Sequence, residues 1–162
     1  MQPVIEGSAK IADGFRILVD EERIPGRTDV IVSAERWFRD RDLLVEHSGR
    51  VGVMLAPEDD PEPLADDVHR LDLVVLQFPK FTDGRAYSQA RVLRVHLGFG
   101  GILRAIGDIL PDQLEFMRRC GIDSFAFPDE PSAERALRHS RRFSVAYQPA
   151  KRGCVAGYRH RP

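Results

Sequence analysis

The chain has 162 residues, of which 43% are hydrophobic and 30% charged, and a formal net charge of -1. That composition describes one soluble globular domain, long enough to bury roughly two-thirds of the surface its unfolded form exposes, and it excludes a disordered chain. A balance so close to neutrality supplies no overall field for nucleic acid.

Residues 1–48 are weakly patterned. Glu6, Lys10 and Asp13 stand where a signal peptide would need an unbroken apolar run, so secretion is not expected. Phe15, Ile17 and Val19 alternate with Arg16 and Leu18, which predicts a short peripheral strand. Ser33, a good N-cap, opens an irregular amphipathic helix or two short ones over 34–46, with Trp37, Leu44 and Val45 among charged residues. A short apolar strand at 51–55 then stops at Ala56-Pro57 in an acidic loop, and 64–71 reads as a short helix.

The run 73–78, Leu-Val-Val-Leu-Gln-Phe, predicts a strand covered on both faces, as in a parallel sheet, and Pro79 ends it. Over 85–97 Ala86, Ala90, Leu93 and Leu97 recur at helical spacing, Tyr87, Arg91 and Arg94 share another side, and Gly98 closes the helix. A strand at 102–106 follows, then a helix at 111–120 between Pro111 and Gly121, a strand at 124–127 and a helix at 132–142. Phe143, Val145 and Tyr147 predict a closing strand. The basic tail, with Lys151, Arg152, Arg159 and Arg161, is expected to be mobile.

This alternation predicts a single-domain α/β fold with a mainly parallel sheet of repeated strand-helix units, either an open sheet or a partial barrel. Its parts are a 1–48 segment packing on the domain, an α/β domain at 49–148 and a tail at 149–162. No apolar stretch of about 18 residues exists, so no membrane span is expected. Cys120 and Cys154 lack the paired spacing of a zinc or iron–sulfur site, which predicts reduced thiols in the cytoplasm.

The cluster Gly98-Phe99-Gly100-Gly101 fails as a dinucleotide loop because it precedes a strand and Leu103 holds the third glycine position. No phosphate loop or nucleophile elbow occurs, and His47, His69, His96, His139 and His160 are scattered without ligand spacing. Neither a cofactor nor a metal is expected.

Ligands of parallel sheets bind beyond the carboxyl ends of the strands. There the loops 79–85 and 107–112 would share one rim, bringing Lys80, Asp83, Arg85, Asp108 and Asp112 together near two helix starts as an anion site. The competing structural reading has the aspartates capping helices and Lys80 solvated. Arg104, mid-strand between Ile102 and Ile106, must be paired if buried, with Asp83, Asp108 or Asp112 in reach. It would either orient an oxyanion or tie a strand to a loop. Tyr87, Arg91 and Arg94 would line the site, or form a solvated face. Cys120 reads as a packed, inert thiol at a helix end.

The string Phe78-Pro79-Lys80-Phe81-Thr82-Asp83-Gly84-Arg85-Ala86-Tyr87-Ser88, with Ala90-Arg91 and Leu93-Arg94 behind it, resembles the bacterial domain-of-unknown-function 934 family. The likeness continues through Leu103-Arg104-Ala105-Ile106-Gly107-Asp108-Ile109-Leu110, Asp112-Gln113-Leu114, Arg119-Cys120-Gly121 and Asp123-Ser124-Phe125 to Phe143-Ser144-Val145-Ala146-Tyr147-Gln148. The resemblance implies a place beside assimilatory sulfite reductase and phosphoadenylyl-sulfate reductase, and some similar proteins are labelled oxidoreductases. It implies an accessory protein of sulfate and sulfite reduction that binds a reductase partner or an anionic sulfur ligand. The alternative is a small oxidoreductase, or another enzyme acting on an anionic sulfur or nucleotide substrate at the rim. Both remain open at this point. Two distant cysteines cannot supply a four-thiolate cluster, so the chain is not expected to be the reductase itself. Expected partners are sulfite reductase or another sulfur-assimilation protein and a small anion, with neither nucleic acid nor a membrane.

Overall fold

The computed structural model describes residues 2–142, with side chains to residue 139. The apolar run at the centre of the chain forms a strand, Leu73–Phe78, and the other alternating segments form seven more. In chain order they are β1 (Val4–Glu6), β2 (Ala9–Ile11), β3 (Arg16–Ile17), β4 (Val30–Ser33), β5 (Val51–Leu55), β6 (Leu73–Phe78), β7 (Ile102–Gly107) and β8 (Ser124–Ala126). Among the described residues five α-helices accompany them: α1 (Ala34–Arg39), α2 (Arg41–Val45), α3 (Arg85–Arg91), α4 (Leu114–Arg119) and α5 (Glu130–Arg142).

All eight strands lie in one sheet ordered β2-β1-β8-β7-β6-β5-β4-β3, an open, curled half-barrel. From β3 to β8 every neighbouring pair is parallel and the spatial order follows the chain. Right-handed crossovers that always step in one direction put every connecting helix on the same face. The sheet is therefore helix-covered on one side. Val30, Val32, Val53, Leu55, Val74, Leu76, Phe78, Leu103, Ala105 and Phe125 point to that side and share a core with Trp37, Ala86, Ala90, Leu93, Leu114 and Ala136. Their neighbours in sequence, Ile31, Leu73 and Val75, point to the concave side. They are buried there under Phe15 and beside Met54, Ile102 and Ile106. Strand β6 is thus covered on both faces, by helices on one and by the loop bearing Phe15 on the other.

Ser33 caps α1, its hydroxyl oxygen accepting from the Arg36 amide at 3.1 Å. Over 34–46 the chain makes two short helices. The helix expected at 64–71 is instead a pair of 3-10 turns, Glu62–Leu64 and Val68–Arg70. Asp67 between them is drawn into the core, where it accepts from Trp37 Nε1 at 3.2 Å and Arg41 Nε at 2.8 Å. A buried carboxylate must be paired, and that requirement overrides helical continuity here. The helix expected at 111–120 starts as a 3-10 turn, Pro111–Gln113, and becomes α-helical at Leu114. Gly98, at φ 66, ends the helical run from Arg85 as its position requires. The last five residues of that run, Val92–His96, are π-helical.

The first residues contribute more than a peripheral strand. Strand β1 lies antiparallel between β2 and β8, with Val4 opposite Ala126. The closing strand expected from Phe143, Val145 and Tyr147, and the tail beyond it, fall outside the described residues. Among the described residues no helix is long and apolar enough to cross a membrane.

Candidate functional site

Strands β6 and β7 are parallel and in register from Leu73 opposite Ile102 to Phe78 opposite Gly107. The 79–85 and 107–112 loops therefore leave the sheet side by side. Gly107, at φ 103, turns the chain sharply enough for the Asp108 amide to reach Phe78 O at 2.8 Å. The Asp108 carboxylate then accepts from the Phe81 amide at 3.1 Å, and Gln113 Nε2 donates to Phe81 O at 3.0 Å. Gln113 is itself held through its carbonyl by the Leu110 amide at 3.3 Å. Both backbone polar groups of Phe81 are thus gripped by the neighbouring loop, while its side chain stands 46% exposed.

The rest of the rim is a local network. Asp83 accepts from the Arg85 amide at 3.1 Å, the two-residue reach of an Asx turn, and pairs with the Arg85 guanidinium at 2.7 Å. That guanidinium lowers the Asp83 carboxyl to about 2. A depressed carboxyl contributes fully above the ordinary carboxylate range, and its contribution is lost as pH falls through the folded value. The Asp83 side-chain carbon shift followed by NMR is expected to titrate near 2; a midpoint near 4 would show that the pair does not form in solution. Lys80 and Asp112 project from the same two loops and are exposed.

Tyr87 and Arg91 belong to the outer face of α3 and meet α4 across a cleft. The Tyr87 ring sits edge-on between Phe78, with centroids 5.3 Å apart, and Phe116 at 5.0 Å. Burial raises the Tyr87 phenol, with Cys120 adding to the shift, and burial likewise pushes the Cys120 thiol up, so both stay protonated at neutral pH. Arg94 does not share the solvated face expected of it. It is buried, donating to Phe99 O at 2.7 Å, Gly101 O at 2.8 Å and Gly121 O at 3.0 Å and pairing with Asp123. The π-helical turn rotates it inward while Leu93 stays in the core, so two consecutive residues are both buried.

Arg104 lies elsewhere. It shares the concave pleat face with Ile102 and Ile106, away from the helices. It does not pair with Asp83, Asp108 or Asp112, as its place in the sequence had suggested. Its guanidinium instead meets Asp13 at 2.9 Å, Ser124 Oγ at 3.0 Å and Glu6 at 3.5 Å, near the Phe15 ring at 5.8 Å. The structure therefore sorts the candidates into three places. Lys80, Asp83, Arg85, Asp108 and Asp112 are at the rim, Tyr87 and Arg91 are in the cleft, and Arg104 is in a concave-face ion cluster. Gln113 and Arg119 were missed as contributors because their roles depend on which loop or helix stands opposite them. Among the described residues no group of three or more His, Cys, Asp or Glu side chains is placed to hold a metal ion.

Residues 52–157 match the model of a family described as bacterial proteins of unknown function, DUF934. The chain belongs to that family. The matched stretch takes in the rim, the cleft and Arg104, whereas Glu6 and Asp13, which pair with Arg104, precede it. No curated protein matches the chain.

Proposed function

We propose that this DUF934 protein is an accessory protein of assimilatory sulfate and sulfite reduction that docks a reductase, or another protein of that pathway, at the rim carrying Phe81. The supporting observation is that Phe81 is exposed while its backbone N–H and C=O are both held, by Asp108 and Gln113. An aromatic ring on a loop already immobilised loses little conformational freedom on docking, and such rings dominate binding energy at protein interfaces. Lys80 beside it adds a solvated cation suited to steering an acidic partner. The pathway rests on the family resemblance, and a cytoplasmic location goes with it.

The second reading, an enzyme acting on an anionic sulfur or nucleotide substrate at this rim, has Lys80 in its favour. Arg85, its other cation, is occupied by Asp83. A substrate oxyanion would have to displace that carboxylate.

Phe81→Ser tests the first reading. The variant should melt within about 0.5 kcal/mol of wild type, as surface substitutions do. Captured from the native host, wild-type protein should retain a sulfite-pathway protein that the variant loses at least about tenfold, the size of a modest interface hot spot. Deletion of the gene should stop growth on sulfate or sulfite and spare growth on cysteine. Normal growth on sulfate would reject the pathway. Loss of growth with Lys80→Ala in a folded protein that still holds its partner would favour the enzyme.

A further inference from the structure

The cleft between α3, with its π-helical turn, and the C-terminal end of α4 has a volume of about 470 Å³. That is within the range of small-molecule sites, which runs from about 300 to 1,000 Å³. Tyr87, Ser88, Arg91 and Val95 form one wall and Arg119 and Cys120 the other, over a floor of Arg94 and Gly121. We propose that it binds a small organic oxyanion: a phosphate or sulfo-type group carried on a planar ring. This goes beyond partner docking at Phe81 and does not depend on it.

Charge gives the first half of the ligand. Among the described residues no carboxylate lines the cleft. Among the described residues Arg91 has no ion-pair partner, and Arg119 reaches Glu115, one turn back on its own helix, at 3.6 Å. The charge of Arg94 is met from the far side by Asp123. Two guanidinium groups thus flank a partly enclosed space with no carboxylate of the described residues between them, and guanidinium forks match tetrahedral oxyanions.

Shape gives the second half. The Tyr87 ring is fixed by edge contacts with Phe78 and Phe116, so it can offer surface without losing rotamer freedom. Val95, although apolar, is 52% exposed beside it. Aromatic and aliphatic surface next to two cations accommodates a ring that ends in an anionic group. The protonated Tyr87 phenol and Cys120 thiol add neutral donors and no opposing charge.

Rigidity is built in from below. Arg94 joins the π-helical turn to Gly101 and Gly121 through its three carbonyl contacts, so both walls stand on one bonded floor. Among the described residues nothing fills the space before a ligand arrives, which limits the ordering that binding requires.

The test titrates the ¹⁵N-labelled full chain with adenosine 5′-monophosphate, with 8-anilinonaphthalene-1-sulfonate, and with adenosine, inorganic phosphate and inorganic sulfite. At least one ring-bearing anion should give saturable shifts at Tyr87, Arg91, Val95 and Cys120 with a Kd below about 1 mM. Adenosine and the inorganic ions should each bind at least about tenfold more weakly, since each lacks one half of the ligand. Saturation by the nucleotide identifies a phosphate source, and saturation by the aromatic sulfonate alone identifies a sulfo source. The double variant Arg91→Gln, Arg119→Gln should lose at least about tenfold in affinity. If that variant does not fold, protection of the Cys120 peptide of the wild-type protein from alkylation by the same ligand decides the matter. Two results overturn the proposal: no saturable shift in the cleft with either ring-bearing anion up to about 5 mM, or inorganic phosphate or sulfite binding as tightly as they do. Either would leave the Phe81 capture result untouched.

Discussion

Arg94→Ala is expected to destabilise the protein by about 2–4 kcal/mol in chemical denaturation, the penalty of leaving several carbonyl acceptors unsatisfied and opening a void. The side chain satisfies three carbonyl oxygens, of Phe99, Gly101 and Gly121, and meets the Asp123 carboxylate. Truncation strands those acceptors where water has little access, and a buried acceptor without a partner is costly. The Arg94 stem also packs directly on Gly121, where a Cβ would stand 2.7 Å from Arg94 Cγ, so the substitution opens a void beneath the cleft. Arg94→Lys should recover little. A single ammonium group cannot span acceptors arranged for a planar fork. A loss below about 1 kcal/mol for Arg94→Ala would mean that the network contributes no more than an ordinary surface contact.

Gly107→Ala should cost about 3 kcal/mol or more, from backbone strain plus steric overlap. The residue has φ 103, a conformation that side-chain-bearing residues rarely adopt. A Cβ there would lie 2.3 Å from Phe78 O and 3.0 Å from Phe78 C. Those are backbone atoms, and Phe78 O is already fixed by the Asp108 amide at 2.8 Å. Neither strand can yield without disturbing the grip of Asp108 on Phe81. At this chain length the loss corresponds to a fall in Tm of roughly 6–12 °C. Gly84→Ala is the matched control on the same rim. Gly84 has φ -88, and a Cβ there meets nothing within 4 Å. That substitution should leave Tm unchanged or raise it slightly, because it only restricts the unfolded chain. Equal effects at the two glycines would show that the turn at Gly107 is not the conformation in solution.

The rim was partly legible in the chain because it is built from neighbours. Asp83 and Arg85 pair across two residues, and the 79–85 and 107–112 loops follow adjacent parallel strands. The role of Phe81 was not legible. Its exposure follows from Asp108 and Gln113, which stand 27 and 32 residues further along. The cleft was half legible: helical spacing groups Tyr87 with Arg91, but nothing local brings Arg119 and Cys120 opposite them.

By itself the sequence determined the repeating strand-helix order, the apolar core of β6 and the turns at Gly98 and Gly121, since each depends on periodicity or on one residue's allowed backbone. It also carried the family strings from Phe78 onward. Only the tertiary structure decided what meets across the sheet. Arg104 pairs with Asp13, 91 residues away, because β1 inserts beside β8 and brings the first residues of the chain under the concave face. Asp67 turns inward to Trp37, and Arg94 leaves its polar helix face for three carbonyl groups. In each case a buried charge selects its partners by geometry after the strands have paired, and sequence separation carries no record of that choice.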